Sequence, residues 1–98
     1  MTRDRIIAAI RSTAPSLQAQ GVVHLALFGS RARGDETASS DLDVLIDVAD
    51  NGRFSLLNLS GVALALEDLT GISCQVALTR SLDPAFAARI HEDLVEVF

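Results

Sequence analysis

The chain contains no tryptophan and no tyrosine, only four phenylalanines, two prolines and one cysteine. With so few rings to fill it, the core must be built from Leu, Val, Ile and Ala. The lone Cys74 excludes an internal disulfide and leaves too few thiols for a cysteine-based zinc site, which fits a reducing cytoplasm. Long hydrophobic runs are also missing. Leu56 to Leu66 is interrupted by Asn58 and Ser60 and falls far short of the ~20 residues that span a bilayer. The run Ile6 to Ile10, behind a charged N-terminus, stops at Arg11, too short for a signal-peptide core. These absences predict a soluble, untargeted protein with no membrane contact. Positive charge is scarce as well. The formal net charge of −5 argues against a general nucleic-acid binder, which needs a basic stripe to neutralise phosphates, so each arginine matters by its position.

Apolar residues make up 49% of the chain, enough to read it as globular, and 98 residues make one domain, residues 1–98. A domain of this size has one core but buries a modest share of its surface.

Ile6, Ile7, Ile10 and Ala14 recur at helical spacing and predict an opening helix, interrupted at Pro15, with Ser16 to Gln20 a second short piece closed by Gly21. Val22 to Phe28 and Leu42 to Val48 read as strands. The stretch Gly29 to Ser40 between them suits a short helical turn plus a functional connection. After a turn at Asp50-Asn51-Gly52, Leu56, Leu59, Ala63 and Leu66 mark a helix ending near Gly71, and Ile72 to Thr79 reads as a third strand with Gln75 on its other face. Asp83-Pro84 starts a last helix through Phe86, Ile90 and Leu94, and Val95 to Phe98 is left as a short strand or coil. Leu56, Leu57, Leu59 and Leu66 are expected in the core, with a partner surface as the alternative.

The chemistry concentrates in one connection. A strand sends alternate side chains to one face, so Asp41 and Asp43 point the same way with Cα atoms ~6.6 Å apart. Like charges held so close repel, and folding alone gives no reason to pair them. A divalent cation removes that repulsion and grips phosphates at the same time. Ahead of them, Gly29-Ser30 at a strand end presents backbone N–H groups and a hydroxyl suited to a phosphate, with Arg31 and Arg33 beside it as charged phosphate contacts or plain surface charges. Other phosphate motifs fail. Asp35-Glu36 stand where a P-loop needs Lys-Ser/Thr, no Gly-x-Gly-x-x-Gly follows a strand, and an aspartyl phosphatase places its Asp-x-Asp after a strand, not before one.

Phe28-Gly-Ser-Arg-Ala-Arg-Gly through Ser40-Asp-Leu-Asp-Val-Leu resembles the Gly-Ser, ten residues, Asp-x-Asp pattern of the DNA polymerase β-like nucleotidyltransferase superfamily, and within it the minimal nucleotidyltransferases (MNT or MntA type). The likeness covers nearly the whole chain. It implies an α+β fold, a small mixed sheet packed against helices. It also implies ATP and Mg²⁺, with Gly29 and Ser30 on the triphosphate and Asp41 and Asp43 on the metal in a two-metal transfer. Many members are antitoxins that transfer AMP to a tyrosine of a HEPN-type toxin.

One position departs from the pattern. Gln75 stands where the superfamily's third carboxylate is expected, and an amide carries no charge and accepts no proton from a nucleophile. Asp47 is ~13 Å beyond Asp43 along the strand, too far to substitute, and no spacing rule favours Asp35 or Glu36. The resemblance therefore leaves two expectations open: an adenylyltransferase antitoxin, or an impaired nucleotidyltransferase-like module that neutralises its partner sterically. His24 and His91 are isolated and read as ordinary surface or core positions, and Cys74 as a small core hydrophobe.

Overall fold

Ile6, Ile10 and Leu17 share one side of the first helix, α1 (Arg3–Ala19), and all three are fully buried. The computed structural model describes residues 1–50 and 52–98. The Thr2 hydroxyl accepts from the Arg5 N–H, and Asp4 in the first turn favours the helix dipole. The expected break at Pro15 does not occur: α1 runs through it to Ala19, and Ser16 onward is not a separate piece. An interior proline costs about 3 kcal/mol through its missing N–H and its clash with the preceding turn. Burying Leu17 returns about 1.5–3 kcal/mol, and only a continued helix keeps Leu17 in line with Ile6 and Ile10. Tertiary burial overrides the local rule.

The remaining elements follow as β1 (Val22–Phe28), α2 (Gly29–Arg33), β2 (Leu42–Val48), α3 (Leu56–Thr70), β3 (Cys74–Leu78), α4 (Pro84–Ile90) and β4 (Val95–Glu96). β1 and β2 have the bounds the sequence predicts. β3 is shorter than expected, starting at Cys74 instead of Ile72 and ending at Leu78. The strand order is β3-β2-β1-β4, with β1 antiparallel to both its neighbours and β2 parallel to β3, a pairing that needs the α3 crossover between them. α3 opens on a reciprocal Ser55–Asn58 capping box and closes at Gly71 in the left-handed region, φ +72°. Asp83 accepts from the Ala85 N–H at 3.0 Å to start α4, which stops at Ile90; Leu94 lies beyond a 3-10 turn, His91–Asp93. Of the expected Asp50-Asn51-Gly52 turn, Asn51 lies outside the described residues.

Alternation along the strands sorts side chains into two layers. Leu25, Leu27, Val44, Ile46 and Cys74 join Ile6, Ile10, Leu17, Val62 and Leu66 under α1 and α3. On the opposite face Phe28 and Leu45 meet Ile90, and the Phe28 and Phe86 rings stand edge to face at 5.9 Å. Leu66 is buried and Leu59 half-buried as expected, but Leu56 and Leu57 are 79% and 83% exposed, outside the core. Among the described residues no helix is long and apolar enough to cross a membrane.

Candidate functional site

β1 ends at Phe28, whose Cα partner across the sheet is Asp43, and the chain turns at once into α2 through Gly29, φ +74°. Two physical constraints reserve that position for glycine. The backbone lies in the left-handed region, and a Cβ built there would overlap Asp43 Oδ2 and stand 3.1 Å from its Cγ. The Asp43 carboxylate therefore lies directly against the glycine of the Gly29-Ser30 pair. The fold thus brings the Gly29-Ser30 turn and Asp43 of the acid pair together. Ser30 is partly exposed, and its carbonyl accepts from the Gly34 and Asp35 N–H groups to close α2.

Asp41 is exposed and precedes β2, while Asp43 is half-buried within it. Burial, then the charge of Asp41, pushes the Asp43 carboxyl above the ordinary aspartate range, and Arg33 partly opposes this. Two carboxylates are donors of the kind that hold a hard divalent cation whose other ligands are phosphate oxygens and water. On β3, Gln75 is the Cα partner of Asp43, so it stands ~4.8 Å away on the same face of the sheet. Among the described residues no three or more His, Cys, Asp or Glu side chains come together as a metal-binding group. The residues fit one cation held by Asp41 and Asp43. They do not supply a third acid.

The two arginines part company. Arg31 is buried, 6% exposed, and its Nε donates to the Ser40 carbonyl at 3.0 Å, so it is not the surface charge its place in a helical turn allows. Arg33 is exposed and divides itself between Asp35 (Nε, 3.1 Å) and Asp93 (Nη1, 3.0 Å), and both pairs raise its pKa. Asp35, one of the acids near the site, is thus committed to Arg33. Sequence reasoning missed Asp93, sixty residues from its partner, and the Ser40 carbonyl, whose only signal is its place just before Asp41.

His24 pairs across the sheet with Asp47, at the far end of β2 from Asp43, and His91 is exposed in its 3-10 turn. A cleft of about 330 Å³ does open between His24, Leu45, Asp47, Thr79 and Glu96, but at that far end and away from the acid pair. Burial, then the Glu67 carboxylate, pushes the Cys74 thiol up to about 12, so it is an inert core group and not a nucleophile.

Known proteins resemble this chain in sequence and in fold. The family model described as nucleotidyltransferase domain matches residues 7–97. A protein of Methanocaldococcus jannaschii named as a protein adenylyltransferase is 32% identical over 87 residues, 89% of this chain and 91% of its own. A solved structure described as a minimal nucleotidyltransferase superposes with a TM-score of 0.78 at 31% identity, over 97% of this chain and 95% of its own. A chain of the Shewanella oneidensis complex between a tri-AMPylated HEPN toxin and an MNT antitoxin shares the fold, with a TM-score of 0.65 at 14% identity over 90% of this chain and 68% of its own. Matched along nearly its whole length and folded as a mixed four-stranded sheet with the acid pair at a strand mouth, the chain belongs to the nucleotidyltransferase domain family, as a minimal nucleotidyltransferase of the polymerase β-like superfamily.

Proposed function

We propose that this domain binds ATP with Mg²⁺ at Gly29, Ser30, Asp41 and Asp43 and transfers AMP to a protein, its acceptor being a HEPN-type toxin that it neutralises in the cytoplasm. The observation that supports this reading is the close approach of Asp43 to Gly29, which sets the Gly29-Ser30 turn beside the acid pair. The named relatives supply the reaction class and the kind of acceptor. Backbone N–H groups at the start of α2 and the Ser30 hydroxyl hold the triphosphate, and Asp41 and Asp43 would hold the cation beside it. Mg²⁺, when bound, offsets the negative charge of the two acids and the phosphates. In the transfer an acceptor hydroxyl oxygen bonds the α-phosphorus, the bond to pyrophosphate breaks, and the hydroxyl proton has to leave. Gln75 can steady the acceptor or the phosphate through its amide but takes no proton.

That deficit favours a second reading, a nucleotide-binding module whose transfer is impaired and which blocks its partner sterically. The register of Gln75 against Asp43 is its specific support. Transfer of α-labelled ATP to a HEPN partner, measured for the wild type, Gln75→Asp and Asp43→Asn, separates the two. Wild-type transfer that Asp43→Asn abolishes is the expected result; slow wild-type transfer that Gln75→Asp raises by about 10²–10⁴-fold, the usual worth of a positioned base, would favour the impaired reading. Full wild-type transfer that Gln75→Asp leaves unchanged would remove the impaired reading. Neutralisation of the partner with no ATP present would remove the adenylyltransferase one.

A further inference from the structure

Arg31 is the one charged side chain buried among the described residues, and its hydrogen bond makes sense of where it sits. It follows Ser30 by one residue, and the carbonyl it reaches precedes Asp41 by one residue. Asp41 itself lies outside the β2 ladder, which begins at Leu42, where the N–H donates to the Ser73 carbonyl at 2.8 Å. On its other side the chain is a small turn: the Thr37 N–H donates to Ser40 Oγ at 2.9 Å, and the Ser40 N–H donates to the Thr37 carbonyl at 3.1 Å. Among the described residues no hydrogen bond of that turn's own side chains ties it to the sheet. The Arg31 guanidinium instead links the Thr37–Ser40 turn to α2 across nine residues.

We infer that Arg31 is a positioning residue, a strap that holds Asp41 at the right place beside the Gly29-Ser30 turn, and not a phosphate contact. The proposal rests on the nucleotide- and cation-binding reading above, and it assigns the two halves of that site different dependence on Arg31. Gly29, Ser30 and Asp43 are fixed by β1, α2 and β2 whatever happens to the strap. Asp41 is not. Loss of the strap should therefore remove the cation-dependent part of nucleotide binding and spare the rest. The chemistry of the contact adds a second distinction. The donor is Nε, partway along a planar fork, which lysine lacks; a phosphate contact would accept lysine's ammonium as a substitute, whereas the strap would not.

The test is ATP affinity of the wild type, Arg31→Gln and Arg31→Lys, each with Mg²⁺ and with EDTA. In both variants we expect the Mg²⁺ enhancement to fall about tenfold, the loss usual when a group orienting a metal ligand is removed, while affinity in EDTA holds. An equal fall in EDTA, or full rescue by lysine, would place Arg31 on the phosphate and overturn the proposal. A wild type that binds no ATP under either condition fails the parent reading instead, and backbone ¹⁵N relaxation of the ligand-free protein still decides this one. Order parameters at Ser39–Asp41 should drop from a rigid ~0.85 to below ~0.6 in Arg31→Gln, with β2 unchanged. If those residues stay rigid, the strap is not what holds them. Should neither variant fold, the wild-type Arg31 Nε proton decides: slow solvent exchange that persists on adding Mg²⁺ and ATP supports the strap, and fast exchange overturns it.

Discussion

Burial and the Asp41 charge raise the Asp43 carboxyl above the ordinary aspartate value, with Arg33 pulling the other way, and the direction fixes how stability responds to pH. A raised acid pKa means that the native state holds the proton more tightly than the unfolded chain, so the ionised form weakens the fold. The penalty is absent well below the unfolded-state value, appears as pH rises through it, and is complete above the native-state value. Asp43→Asn should therefore raise the melting temperature near about pH 7 and leave it nearly unchanged near about pH 3, where both states are protonated. Water screens this partly exposed group, so the gain is small. The same variant should lose Mg²⁺-dependent ATP binding, exchanging function for stability. A melting temperature that falls at neutral pH would show the carboxylate well satisfied in the free protein. Gly29, Ser30, Asp41 and Asp43 stood out in the sequence as a spacing pattern, a turn just after β1 and two acids at the start of β2, which the antiparallel pairing of Phe28 with Asp43 then brings together. Arg31's part was not legible, because burial against a backbone carbonyl leaves no mark on residue type, and Arg33's anchor Asp93 comes from the far end of the chain. Gln75 lay between these cases: the pattern marked its position, but its register against Asp43 depends on how the α3 crossover returns β3 to the sheet.

At the scale of elements, β2 matched its sequence bounds because Leu42, Val44, Ile46 and Val48 alternate behind Asp41, and β1 matched as an apolar run ended by Gly29, although its pairing with β2 is irregular between Val22 and His24. α1 did not, and Pro15 is the reason. The proline signal is local and genuine, yet Leu17 beyond it needs the core, and the buried leucine prevails. The strain should remain recoverable. Pro15→Ala restores an N–H and relieves the clash, worth about 3 kcal/mol, against about 1 kcal/mol of unfolded-state rigidity given up. A net gain of about 1–2 kcal/mol in urea unfolding, with an unchanged m-value, is the expected outcome. A net loss would mean that the pyrrolidine ring itself packs usefully and that the helix is adapted to it.

The whole molecule decides what the exposed leucines of α3 mean for stability. A folded monomer of this mass is expected to expose about 5,400 Å² and to have a radius of gyration of about 12.6 Å. The chain exposes 5718 Å² and has a radius of gyration of 12.6 Å, so it is about as compact as expected for its size. Leu57 at 83% and Leu64 at 61% exposure, seven residues apart, share a side of α3 turned away from buried Val62 and Leu66. Gly61 lies between them on α3 with no atom within 4 Å of where a Cβ would stand, so that part of the helix face is open. Val62 and Leu66, by contrast, are the only α3 residues buried in the core among those described. It follows that Leu57→Ser and Leu64→Ser should each change unfolding free energy by less than about 0.5 kcal/mol, whereas Leu66→Ala should cost about 2–5 kcal/mol. Thermal melts at two protein concentrations check this. If Leu57→Ser costs as much as Leu66→Ala, and the wild-type melting temperature climbs with concentration, α3 is covered by a second copy in solution and its leucines belong to an interface. If the melts are independent of concentration and only Leu66→Ala is costly, the fold stands without them, and their exposure leaves α3 free for a partner of another kind.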